Sequence, residues 1–157
     1  MNTSRRDRTT PVSRRRLLGA GAMLALAVRP ATAQVRLEAD LREAIARWCA
    51  GALPREGRVT LDIAPLVENG NAVPITLRAA SPMTEADHVT ELAIFNERNP
   101  LRDVVRFTLS PASGRAEVST RIRLATTQHL VALARMADGS VWQHTVEVIV
   151  TLAACVE

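Results

Sequence analysis

The sequence predicts an all-β domain: an antiparallel β-sandwich of about seven short strands behind one N-terminal helix. From residue 59 onward apolar and polar residues alternate at the period of a strand, and turn-forming residues interrupt the alternation at short intervals. Only residues 37–50 place their apolar side chains at helical spacing. Hydrophobic residues make up 47% of the chain but aromatic ones only 3%, with no Tyr, so the core must be aliphatic. A chain of 157 residues, less any targeting segment, has the length of one such domain.

In the helical stretch Leu41, Ile45, Trp48 and Cys49 share a face, and Gly51 and Pro54 end it. Val59, Leu61 and Ile63 mark the first strand, and Glu68-Asn69-Gly70-Asn71 is a strong turn. Val73, Ile75 and Leu77 mark the second. Pro74 lacks an N–H for a sheet ladder, which predicts an edge position for this strand. Residues 88–95 form the third, closed by Asn96-Glu97-Arg98-Asn99-Pro100, and residues 104–109 the fourth, followed by the turn Ser110-Pro111-Ala112-Ser113-Gly114. Ala116, Val118, Thr120, Ile122 and Leu124 define one face of the fifth strand. Glu117, Ser119, Arg121 and Arg123 form its other face, a solvated one or one that pairs with an acidic partner. Residues 130–136 are the sixth, Asp138-Gly139 a tight turn, and residues 141–152 the seventh. The pattern is immunoglobulin-like without the Cys…Trp…Cys spacing of antibody domains.

A formal charge of +4 and a sequence pI near 10.7 invite a nucleic-acid reading. That balance sits in the front of the chain. Residues 1–33 hold seven of the twenty basic residues and one of the sixteen acidic ones, leaving thirteen against fifteen and a formal charge of −2. No nucleic-acid partner is expected. The same front segment reads as an export signal. Ser13-Arg14-Arg15-Arg16-Leu17-Leu18 precedes an apolar, Gly/Ala-rich run over residues 17–28, and Ala31-Thr32-Ala33 offers a small-x-small site for cleavage between Ala33 and Gln34. The run is shorter than the about 20 residues a membrane-spanning helix needs, so no stable membrane insertion is expected after cleavage. Arg14 and Arg15 resemble the pair of a twin-arginine signal, although Leu17 stands where Phe is usual, and an ordinary secretory signal is the alternative. The expected division is a signal peptide over 1–33, an exported domain over 34–157, and a periplasmic location. The twin-arginine route carries folded cargo, and with no cofactor motif in sight it implies co-export with a leaderless partner.

The chemistry concentrates at the C-terminus. The strand-like run Val148-Ile149-Val150-Thr151-Leu152 delivers Cys155 almost to the end of the chain. Ala153, Ala154, Cys155, Val156 and Glu157 are expected to project beyond the sheet, where three extended residues reach roughly 10 Å. Such a tether suits a thiol delivered into the active sites of other proteins. The alternatives are an inert terminal thiol, a disulfide to Cys49, or a disulfide between two Cys155 arms in a homodimer. Cys49 lies on the apolar stripe of the helix, where a cysteine serves as a small hydrophobe. His88, His129 and His144 lack metal-site spacing, and the serines lack a nucleophile-elbow pattern, so no metal site and no independent catalytic constellation is expected.

Asn69-Gly70, Val73-Pro74, Asn99-Pro100, Thr120-Arg121-Ile122-Arg123-Leu124-Ala125, Asp138-Gly139 and Val150-Thr151-Leu152 with Cys155 together resemble SoxY, the sulfur-carrier subunit of periplasmic thiosulfate oxidation. The resemblance implies an immunoglobulin-like sandwich, obligate pairing with SoxZ, and Cys155 as the covalent attachment point of the sulfur substrate, with no resident cofactor. It implies a carrier rather than an enzyme, served by a c-type cytochrome, a sulfate-releasing hydrolase and a sulfur dehydrogenase. The chain departs from the family's terminal Gly-Gly-Cys-Gly-Gly, reading Ala153-Ala154-Cys155-Val156-Glu157. Alanine stiffens the arm, Val156 is β-branched, and Glu157 adds a negative charge that raises the thiol's pKa. The alternative reading is therefore a non-carrying module that assists binding or assembly in an exported redox system.

Overall fold

Residues 37–154 are described by the computed structural model, and they fall within a compact unit formed by Val35–Glu157. The helical spacing yields one helix, α1 (Ala39–Cys49). The alternating stretches yield β1 (Arg55–Glu56), β2 (Val59–Asp62), β3 (Leu66–Val67), β4 (Val73–Ala79), β5 (Val89–Asn96), β6 (Asp103–Thr108), β7 (Glu117–Ile122), β8 (Gln128–Met136) and β9 (Val141–Val150). They form two sheets. The larger runs β1-β9-β8-β5-β6, with β3 also on β9, and the smaller runs β2-β4-β7. The long strands pair antiparallel, as the immunoglobulin-like reading requires, while the two-residue strands β1 and β3 lie parallel to β9.

Alternation sets which side chains meet between the sheets. Val59, Leu61, Ile75 and Leu77 of the small sheet pack on Leu92, Ile94, Leu130, Ala132 and Val148 of the large one. The opposite face of the large sheet is also dry. There Leu41, Ile45, Trp48 and Cys49 of α1 cover Ala93, Phe95, Val131, Leu133 and Val141. This second layer explains why β5 and β8 are buried on both faces and read as nearly continuous apolar runs. Trp48 anchors the helix: its Nε1 donates to Glu91 at 2.9 Å, Arg135 stacks over its ring at 4.3 Å, and the same guanidinium donates to its carbonyl oxygen. The helix stops at Ala50, which takes the left-handed conformation (φ 51°) and donates its N–H to Ala46 and Arg47 carbonyls, one residue before the expected Gly51.

Pro74 misleads. Its strand, β4, is the centre of the small sheet, with β2 on one side and β7 on the other. The proline is tolerated because β2 reaches only Thr76, so position 74 pairs with Arg121 of β7 and has no partner strand on its other side. The edge rule holds for the residue and fails for the strand. The last strand ends at Val150, not residue 152, and no described helix is long and apolar enough to cross a membrane. The leader, with Arg14, Arg15, Ala33 and Gln34, lies outside the described residues.

Candidate functional site: the exit of the C-terminal tail

Beyond Val150 the chain bends but continues to pair. Thr151 and Leu152 donate their N–H groups to the carbonyls of Val67 and Glu68 at 3.0 and 3.1 Å, and Gly70 donates back to Leu152 at 2.9 Å. Ala154 then donates to the Leu124 carbonyl at 3.0 Å, while Leu124 donates to Gly70 at 2.9 Å. The Thr151 hydroxyl adds a bond to Glu68 at 3.1 Å, and the Thr127 hydroxyl accepts from Val150 at 3.0 Å. The five residues after the predicted strand therefore do not all project from it. Ala153 is exposed, but Ala154 is buried and fastened.

Gly70 makes this closure possible through its lack of a side chain. A Cβ there would lie 2.3 Å from the Leu124 carbonyl oxygen and 3.0 Å from the Ala154 nitrogen. Its φ is not in the left-handed region that favours glycine, so close approach of three backbone segments is the requirement. The expected turn is present just before it, where the Asn69 side chain accepts from the Asn71 N–H at 2.9 Å.

Leu124 is held in turn by a polar knot built on the turn after β5. Asn99 Oδ1 accepts from the Ala125 N–H and from Gln128 Nε2, both at 2.9 Å, and Asn99 Nδ2 donates to the Arg123 carbonyl at 2.8 Å. Asn96 Oδ1 fixes the turn by accepting from the Asn99 N–H at 2.9 Å, and Gln128 Oε1 accepts from the Arg98 N–H at 2.9 Å. Glu97 Oε2 accepts from the His129 N–H at 3.2 Å and lies 2.8 Å from its Nδ1. Asn96, Glu97 and Gln128 are all buried, so each must have such partners. Burial pushes the Glu97 carboxyl up, but the bonds and charge from His129 outweigh it and leave the group below its ordinary range. Read as sequence, this turn merely closes a strand. The signal for more was an Asn-rich turn followed, across the fold, by Gln128 at the start of an apolar strand.

Exposed residues along the last strand and the tail are mixed, with Leu66, Ile149 and Leu152 beside Glu68, Asn69, Glu147 and Thr151. Leu66 and Ile149 are register partners, 53% and 49% exposed, and Leu152 is 60% exposed. The other site candidates are dispersed. His129 belongs to the polar knot, His88 meets the Thr84 carbonyl, and His144 Nδ1 accepts from the Leu61 N–H at 3.0 Å. Among the described residues no group of His, Cys, Asp and Glu could hold a metal ion. Cys49 is buried in the cluster that also holds Val141 at the start of β9, and burial raises its thiol pKa, with Arg135 opposing more weakly. Ala154 follows the far end of that strand, about 30 Å away at the rise of a strand. An intramolecular Cys49–Cys155 bond needs Cα atoms within about 7 Å, which the fastening of Ala154 opposes. Cys155, Val156 and Glu157 lie outside the described residues.

The comparisons agree with this architecture. A family model described as "Sulfur oxidation protein SoxY" matches residues 45–155. The sulfur carrier protein SoxY from Chlorobium limicola f. thiosulfatophilum is similar in structure, with a TM-score of 0.60 and 29% identity over 71% of this chain and 96% of that one. A superoxide reductase (neelaredoxin) from Ignicoccus hospitalis has a TM-score of 0.53 at 14% identity, covering 59% of this chain and 78% of that one. A putative superoxide reductase from Thermotoga maritima gives 0.53 at 15%, over 62% and 93%. At these identities the two reductases share the fold alone. No curated protein matches.

Proposed function

The chain belongs to the SoxY family, and from that premise we propose that it is a periplasmic sulfur carrier, paired with SoxZ, that holds sulfur intermediates covalently on Cys155. The observation that carries the proposal is the anchorage of Ala154. Ala154, the residue before the thiol, is bonded into the fold through Leu124, so Cys155 follows directly on a fixed base, as suits a residue to be presented to other proteins.

The chemistry lies in the thiolate, and partners supply the rest. Joining the Cys155 thiolate to the outer sulfur of thiosulfate makes a sulfur–sulfur bond and releases an electron pair, which the c-type cytochrome accepts. Water then attacks the sulfonate sulfur, assisted by the hydrolase; the bond between that sulfur and the sulfane sulfur breaks, sulfate leaves with the water's oxygen, and the persulfide stays on Cys155. The sulfur dehydrogenase oxidises that sulfur further. No resident cofactor is required on the carrier. Export by the twin-arginine route, with Arg14 and Arg15 in the signal and cleavage between Ala33 and Gln34, fits a subunit that folds with its partner before crossing the membrane.

The tail sequence sets the rate. Val156 is β-branched and Glu157 brings a negative charge two residues from Cys155, which opposes an anionic adduct. Replacing Val156 and Glu157 with two glycines should therefore speed loading of thiosulfate by the cytochrome partner, while Cys155→Ser abolishes it. If Cys155→Ser loads as well as wild type, carriage on this residue is wrong. If neither wild type nor the glycine variant is loaded, the non-carrying module is the correct reading.

A further inference from the structure

Of the chain's five asparagines only Asn69 is followed by glycine. In an Asn-Gly pair the side-chain carboxamide carbon and the next main-chain nitrogen can close a five-membered ring, and a glycine has no side chain to shield that nitrogen. Asn69 is exposed, whereas Gly70 is buried where three backbone segments meet. The pair is held in a conformation that cannot react. The Gly70 N–H is committed to the Leu152 carbonyl at 2.9 Å, and the Gly70 carbonyl accepts from the Leu124 N–H at 2.9 Å. Asn69 is extended, with φ −139° and ψ 114°, which turns the Gly70 nitrogen away from the Asn69 side chain. The carboxamide oxygen is held too, accepting from the main-chain and the side-chain N–H of Asn71, both at 2.9 Å. Ring closure needs a rotation about ψ of Asn69, and that rotation breaks the bonds from Gly70 to Leu152 and Leu124.

We propose that Asn69-Gly70 is a modification site guarded by the C-terminal segment, one that deamidates only from states in which Leu152 and Leu124 have released Gly70. In that open state the Gly70 nitrogen gives up its proton to a solvent base and attacks Cγ of Asn69. The new carbon–nitrogen bond closes a succinimide, and the carboxamide nitrogen takes up a proton and leaves as ammonia. Water then opens the ring at either carbonyl and leaves aspartate or isoaspartate at position 69, with no change of oxidation state. The isoaspartyl form carries one more carbon in the main chain between residues 69 and 70. A junction where even a Cβ on Gly70 would lie 2.3 Å from the Leu124 carbonyl oxygen cannot close again around that extra carbon. Both products also put a carboxylate next to Glu68, whose carbonyl accepts from the Leu152 N–H and from the Thr151 hydroxyl, each at 3.1 Å. The modification turns a transient opening of the tail's base into a permanent one. It depends on this junction alone and requires neither a partner nor the carrier reading.

The test incubates the full chain in mildly alkaline buffer and follows position 69 by peptide mapping, with isoaspartate identified by isoaspartyl methyltransferase labelling. The site should deamidate about tenfold or more faster in urea than in the folded protein. Thr151→Val, which removes the hydroxyl bond to Glu68 and leaves the main-chain bonds in place, should speed the folded rate about 2- to 12-fold. Asn99→Ala, which frees the segment that carries Leu124, should speed it about tenfold or more. In each variant the gain should match the gain in amide exchange at Gly70. The isolated isoaspartyl form should exchange the Ala154 amide about tenfold or more faster than the unmodified protein, and Asn69→Asp, which adds the charge without the carbon, should do so less. Equal deamidation in the folded protein and in urea overturns the proposal. So does a folded rate that stays fixed in Thr151→Val while Gly70 exchange rises, or an isoaspartyl form whose Ala154 exchange equals that of the unmodified protein.

Discussion

Gly70→Ala is the sharpest perturbation of the tail's base, because two physical effects oppose each other in sign. Gly70 does not occupy the left-handed region, so alanine would ordinarily stabilise the protein by about 0.4–1 kcal/mol through the unfolded chain. Here the added Cβ would lie 2.3 Å from the Leu124 carbonyl oxygen, about an ångström inside contact, with the Ala154 nitrogen at 3.0 Å. Both are backbone atoms and cannot swing aside. The three main-chain bonds that meet here, Gly70 to Leu152, Leu124 to Gly70 and Ala154 to Leu124, must stretch or open. At about 0.5–1.5 kcal/mol each their loss costs about 1.5–4.5 kcal/mol. Less the entropic gain, the variant should be about 0.5–4 kcal/mol less stable in urea unfolding. Amide exchange at Ala154 should rise by roughly 2- to 1,000-fold as these bonds open. A midpoint equal to or above that of wild type, with Ala154 exchange unchanged, would refute the closure of the tail against Gly70.

Other consequences follow from the same contacts. Asn99→Ala removes the acceptor of the buried Gln128 Nε2 and frees the 123–125 segment, and should cost about 2–3 kcal/mol in thermal or chemical unfolding, with faster exchange at Ala125. Glu97 has its carboxyl held below the ordinary value of 4.5, so its contribution to stability is complete above about pH 5 and disappears as pH falls through the lowered pKa. Urea midpoints of wild type and Glu97→Gln should therefore differ most near neutrality and converge in acid; a constant difference would contradict the assignment. Cys49, buried and with a raised thiol pKa, should resist iodoacetamide at pH 8 until denaturant is added; alkylation of Cys49 in the folded protein as fast as in denaturant would count against its burial.

Much of the fold was legible because side-chain alternation is a local signal. Val59 and Leu61, Ile75 and Leu77, and the β8 and β9 runs all point to the core as the period of two requires. What was not legible depends on tertiary partners. β1 is two residues long and owes its place to Trp142, over whose ring Arg55 lies at 5.1 Å and against which Gly57 fits, where a Cβ would come within 3.3 Å. β3 is as short and exists because β9 needs a neighbour at Ile149 and Val150. Pro74 carried a sound rule about its own amide that could not reveal where β2 stops. The anchoring of Ala154 escapes the sequence for a related reason. Nothing in Ala153-Ala154 announces an anchor, since the bonds are main-chain and depend on a glycine more than 80 residues away and a carbonyl of Leu124. The polar knot was half visible, as an Asn-rich turn whose partners 123–129 only the fold brings near.

Intact mass of the mature protein, isolated without reductant from cells growing on thiosulfate, tests the central claim most directly. The account predicts a sulfane or thiosulfonate adduct that maps to the Cys155 peptide and is removed by reductant, with Cys49 unmodified. A free and unmodified Cys155 in cells that are actively oxidising thiosulfate would contradict it.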